Sequence, residues 1–168
     1  MTLPLKPLSR DAIPGALSKA ERYRLLNEPG QAESICLDVL AVEPAHQQAL
    51  TTLILALTDQ FSDQPARTMQ QARELLPRLD DGYSRAYYAG IIAERRAHAR
   101  LAHGGHGAAD AAREWLKEAL QHYAAAESVR PPNNDDAILR WNACVRTIER
   151  LPASADTDDQ SGRLLMLE

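Results

Sequence analysis

Apolar residues recur at steps of three and four through most of this chain, in seven runs cut apart by proline, glycine and asparagine. This period is the strongest constraint on the fold, because it buries one stripe of a helix where a strand would need strict alternation. The runs are short, so each helix must cover its stripe against neighbours rather than stand alone. A first helix is expected from about Pro14 to Leu26, with proline suited to its opening turn, ending at Asn27-Glu28-Pro29-Gly30. The second should span Gln31 to Val42 and stop before Pro44; the third starts near Ala45 and carries Ala49, Leu50, Leu53, Ile54 and Leu57 on one stripe. A fourth is expected from Pro65 to Leu79, its last turn disturbed by Pro77. The fifth is long, Tyr83 to His103. The sixth, Ala108 to Val129, sets Ala112, Trp115, Leu116, Ala119, Tyr123 and Ala126 on one face. The seventh follows a cap at Asn133 or Asn134, places Asp135 and Asp136 where negative charge suits the macrodipole, and turns Ala137, Trp141, Cys144, Val145 and Ile148 inward.

Abundant alanine with only 5% aromatics favours closely packed helices over sheets, so an all-α fold is expected. At 168 residues one domain accounts for the chain: an extended arm over residues 1–12, a helical domain over 13–151 and a polar tail over 152–168. A net charge of −4 gives no long-range pull toward nucleic acid or an anionic membrane. The opening residues hold no apolar core of the signal-peptide kind, and no later run reaches about 18 apolar residues, which points to a soluble cytoplasmic protein. Cys36 and Cys144 both fall inside apolar stripes, as buried small hydrophobes in a reducing compartment do.

A pattern repeats within the helices. Ala20 is followed by Tyr23 after three residues and Ala32 after a further nine, then Cys36, Val39 and Pro44 at steps of four, three and five; Ala119, Tyr123, Ala126 and Pro131 repeat those last steps. This resembles the tetratricopeptide repeat, a helix-turn-helix unit of about 34 residues. The resemblance covers residues 13–151 and implies an α-solenoid of antiparallel helix pairs, closed by the seventh helix as a cap. In the second copy Ala49, Ile54, Leu57 and Ala66 fit the pattern, Gln70 and Arg73 stand where apolar residues are expected, and Pro77 arrives one residue early. In the third, Gly90 and Ala119 are 29 residues apart where the family spacing is 12. Shared between two helices, the excess lengthens each by roughly 12 Å, so the third hairpin should project.

The histidine and glycine stretch His103-Gly-Gly-His-Gly107 falls where that hairpin must reverse, and its glycines supply the backbone freedom of a tight turn. His98, His103 and His106 amount at best to a weak surface metal site, because structural zinc needs three or four ligands together. No nucleophile motif, phosphate-binding glycine loop or His-Glu metal signature occurs, so neither catalysis nor a cofactor is expected. Arg95, Arg96 and Arg100, with Arg85 earlier, make a basic strip on the fifth helix that Glu114 and Glu118 of the sixth should partly neutralise. Trp115 and Trp141 sit at interhelical packing positions.

The resemblance implies that the first helix of each pair lines a concave groove for another protein or peptide segment. In this register the groove would be lined by Leu17, Glu21 and Arg24, by Thr51, Leu55 and Thr58, and by Tyr87, Ile91 and Arg95, apolar at its centre and charged at its rims. Relatives that clamp a C-terminal carboxylate use lysine and asparagine at such places. This chain has neither there, which favours an internal apolar segment. Self-assembly into a homo-oligomeric scaffold is the alternative. Leu164, Leu165, Met166 and Leu167 form an apolar stretch in the tail, expected as a mobile end or a short patch against the last helix, with docking in the apolar groove as the alternative.

Overall fold

The computed structural model describes residues 3–153, and within them the chain is all-α, with no strand. A 3-10 turn over Arg10–Ala12 leads into α1 (Ile13–Leu25), followed by α2 (Pro29–Val42), α3 (Gln47–Thr58) and α4 (Pro65–Leu75). A second 3-10 turn over Leu76–Arg78 precedes α5 (Gly82–His103), α6 (Ala108–Ser128) and α7 (Asp136–Arg150).

Local chemistry explains the boundaries. Asn27 takes a left-handed φ of 59° and closes α1, and α2 starts at Pro29, two residues before the expected Gln31, because proline loses nothing at a first helical position. His46 caps α3 through its ring Nδ1, which accepts from the Ala49 N–H at 3.3 Å, and the Asp81 carboxylate caps α5 by accepting from the Ser84 N–H at 2.7 Å. That bond holds the Asp81 carboxyl below its ordinary pKa. Pro77 ends α4 at Leu75 instead of Leu79, since it can give no N–H to a further α-helical turn. The Asn134 side chain accepts from the Asp136 N–H at the head of α7.

Consecutive helices pack on each other along the chain, the α5–α6 pair most extensively, and α1, α3 and α5 also touch in succession. The turn after α4 lies on the turn after α2: the Arg78 guanidinium donates to the Pro44 carbonyl at 2.6 Å, and the Gln47 side-chain oxygen accepts from the Asp80 N–H at 2.9 Å. Two hydrophobic clusters result. One joins α1 to α4 and takes in Ile92; the other joins α5 to α7 through Ile91, Ala97, Leu116, Tyr123 and Cys144. Helix α5 serves both, which is why Gly90, Ile91, Ile92, Ala93, Glu94 and Ala97 are all buried.

The second copy of the repeat keeps its pattern in a register two residues later than the sequence suggests. Ala66, Gln70 and Arg73 are exposed, whereas Thr68, Ala72 and Leu75 are buried, again at steps of four and three. The small residue that belongs with them is the buried Ala56 of α3, 12 residues before Thr68 as Ala20 is before Ala32. Thr68 escaped notice because a threonine in that place is polar; its hydroxyl is satisfied by the Gln64 carbonyl at 2.7 Å.

The third hairpin is the long one, with 22 residues in α5 and 21 in α6 against 12 in α3 and 11 in α4. Its tip turns through Gly104, Gly105 and Gly107, all at positive φ, and the Arg100 guanidinium holds it by donating to the carbonyls of Gly104 and His106. Where the hairpin closes, a Cβ on Gly90 would lie 2.5 Å from a ring carbon of the fully buried Tyr123, so only glycine fits. The tail leaves beside α6, where the Arg113 guanidinium donates to the Pro152 carbonyl. The stretch Leu164 to Leu167 lies outside the described residues.

Candidate partner-binding face

Of the nine positions expected to line a groove, six reach the surface in whole or part. Glu21 is exposed, and Arg24, Thr51, Leu55, Tyr87 and Arg95 are half-buried. Leu17, Thr58 and Ile91 instead belong to the interior, at 1%, 4% and 1% exposure. The cause is close helix packing around Ala20, Ala56 and Gly90: small residues draw the helices together, and the flanking position that would face a wider groove is drawn into the core. Thr58 satisfies its hydroxyl within its own helix, on the Leu55 carbonyl at 2.8 Å.

Residues from two helices, α1 and α5, converge on Asp59, the residue that caps the C-terminus of α3. Its Oδ2 accepts from Arg24 Nε at 2.8 Å, and Arg95 Nη1 approaches Oδ1 at 3.7 Å, so one carboxylate links α1, α3 and α5. Asp59 lies one turn beyond Leu55 and was not singled out in the sequence, where a carboxylate just past an apolar run reads as a helix end. At the opposite end of α3, Gln48 donates to Glu21 at 3.2 Å. Between these polar ties Leu55 packs on the second cluster, next to a run of tyrosines on α5. Tyr83 and Tyr87 stack at 5.6 Å, and Tyr87 meets Tyr88 edge-on at 5.3 Å. Burial raises the Tyr88 phenol above its ordinary pKa, and the Tyr83 hydroxyl donates to the Asn134 side chain at 3.1 Å. The face therefore offers polar anchors at both ends and half-buried aromatic and aliphatic surface between them.

Behind it lies a buried polar cluster that the periodicity did not reveal. Glu94 is 3% exposed on the apolar stripe of α5; Oε2 accepts from the Tyr123 hydroxyl at 2.5 Å and Oε1 from Arg140 of α7 at 3.3 Å. Its spacing from Ile91 and Ala97, three residues each way, was the available signal. Burial, and then the neighbouring Glu94, pushes the Tyr123 phenol far up and the Cys144 thiol up to about 12. For Arg140, burial is the largest single influence and works against the charge, but Glu94 together with Tyr87 and Tyr123 outweighs it, so its pKa is raised. Burial also pushes Cys36 up to about 12, so both thiols stay protonated and are poor nucleophiles at neutral pH.

Several other expected partners are arranged differently. Glu118 pairs with Arg73 of α4 at 3.2 Å and Glu114 with Lys117 at 2.8 Å, so neither neutralises the basic strip of α5. Trp115 is half-buried with the Arg73 guanidinium 5.5 Å over its ring, and Trp141 is half-buried against the second cluster. Among the described residues no group of three or more His, Cys, Asp or Glu is placed to hold a metal ion, and no helix is long and apolar enough to cross a membrane. No family model, curated protein or solved structure matches the chain.

Proposed function

We propose that the chain is a non-catalytic α-solenoid of the tetratricopeptide kind, acting in the cytoplasm as an adaptor that takes a segment of another protein along the face of α1, α3 and α5. The observation that carries this reading is the convergence of Arg24, Asp59 and Arg95, which links the first helices of three successive hairpins into one surface. The repeat of buried small residues supports it: Ala56 lies 36 residues after Ala20, and Gly90 lies 34 after Ala56, close to the period of about 34 in that family. With Leu17 and Ile91 inside the core, Leu55 and Tyr87 are the apolar contacts left to a partner. The ligand best suited is an extended segment with one apolar side chain between polar ones. The reading requires no cofactor, metal ion or nucleic acid.

The test is recovery of co-purifying proteins by wild type and by Glu21→Arg combined with Thr51→Arg, against Leu139→Arg on the exposed side of α7 as control. Partner loss in the double variant alone is expected; equal recovery by all three would contradict the assignment. A second reading, self-assembly, is favoured by the exposure of Leu25 at 89% and Leu26 at 60%, adjacent at the end of α1. Light scattering over a range of concentrations separates the two, because a monomer throughout removes assembly.

A further inference from the structure

Beside the Arg24–Asp59–Arg95 end of the α1–α3–α5 face, the length of α5 creates a second feature. Helix α5 continues past the end of α3, and between its second half and the α3–α4 turn lie two adjoining hollows that share Phe61, Ser62, Ala99 and Ala102. They form one cleft along the edge of the molecule. Its floor is apolar and shallow: Phe61 is 2% exposed, and Ala99 and Ala102, one turn apart, leave room for an incoming chain to approach the helix closely. Its walls are basic, with Arg95 and His98 on one side and Arg96 on the other. The carboxylate in the lining, Asp59, is already shared by Arg24 and Arg95, and Arg100 is committed to the carbonyls of the tip. Arg96 and His98 have no hydrogen-bond or ion-pair partner among the described residues.

We propose that this edge cleft is a docking site for an acidic peptide segment of another protein, carrying an apolar side chain that seats on Ala99 and Ala102 above the buried Phe61 while its carboxylates meet Arg96 and His98. Charge selects the occupant. The chain as a whole carries a net −4, so a strip holding the unpaired Arg96 guanidinium beside the His98 ring attracts acidic groups locally without drawing polyanions in general. The apolar floor and the absence of an exposed aromatic ring for bases to stack on favour a peptide over a nucleic acid. The cleft adjoins the α1–α3–α5 face at Arg24, Asp59 and Arg95, but Arg96 and His98, the residues that the test changes, take no part in that face, so this site can fail its test while that reading stands.

The test uses the full chain and fluorescein-labelled peptides in fluorescence anisotropy: one of alternating glutamate pairs and single leucines, one with glutamine for glutamate, one with serine for leucine, and an oligothymidylate of equal charge. The glutamate-leucine peptide should bind with a Kd of order 10 to 100 µM, and each of the other three about tenfold or more weaker. Arg96→Glu with His98→Glu should weaken it about tenfold at an unchanged far-UV spectrum, and Ala102→Glu, which fills the open edge of the cleft, should do the same. Unchanged affinity in both variants, binding of the oligothymidylate as tight as the peptide, or no saturation below about 1 mM would overturn the proposal. So would concentration-dependent dimerisation of the wild type lost in Arg96→Glu, which would give the cleft to a second copy of the chain.

Discussion

At Gly90 a single methyl group would meet three ring carbons of Tyr123 at 2.5 to 2.9 Å, and that ring is fixed by burial and by its hydroxyl on Glu94. Alanine gains about 1 kcal/mol over glycine in a helix, but overpacking a fixed core costs about 1 to 3 kcal/mol. Gly90→Ala should therefore lower stability, by about 1 kcal/mol in urea unfolding, and a stabilised variant would mean that the ring can move. Glu94 sets a second residue-level expectation. Removing Arg140 strands a buried carboxylate, and because Arg140 is half-exposed the cost should be about 2 kcal/mol, below the range for a fully buried pair. Arg140→Met should cost less once Glu94→Gln is present, and a double-mutant cycle giving no coupling would contradict the cluster as described. Asp81 gives a pH-dependent case. Its folded carboxyl is the stronger acid, so its contribution to stability is present above its unfolded value of 3.8 and is lost as pH falls through its lower folded value. Asp81→Ala should cost about 1 kcal/mol at pH 7, with the difference from wild type shrinking in acid, whereas a constant difference would exclude the carboxylate cap.

The elements show where the sequence was legible. Helix starts at Pro14, Pro65 and Ala108 were readable within a residue because proline and glycine act locally, through fixed φ or positive φ, whatever packs around them. The second repeat was misread because register is a tertiary property: Ala66 and Ala72 look alike in the chain, and only packing on α3 decides which is buried. The same limit applies to the expected groove. Arg24 and Arg95 reach the surface, but Leu17, Thr58 and Ile91 do not, and the distance of closest approach between helices decides that. At the tip of the third hairpin, Gly107 sits at φ 70° and ψ 7° immediately before α6. A β-branched residue there is strained by about 1 to 2 kcal/mol, so Gly107→Val should destabilise the hairpin more than Gly107→Asn, as thermal unfolding would register.

Among the described residues, two cores share one helix, α5: Ile92 belongs to the first cluster and Ile91 to the second. The arrangement makes α1, α3 and α5 a continuous surface, with Asp59 as the joint and the tyrosines of α5 beside Leu55. That this surface takes a partner is the central claim, and nuclear magnetic resonance on the full chain addresses it most directly. A partner recovered by co-purification, titrated into labelled protein, should shift the signals of Glu21, Arg24, Thr51, Leu55 and Tyr87 and leave the exposed side of α2 and α4 unmoved. Shifts confined to α2 and α4, with the α1–α3–α5 face unchanged, would contradict it.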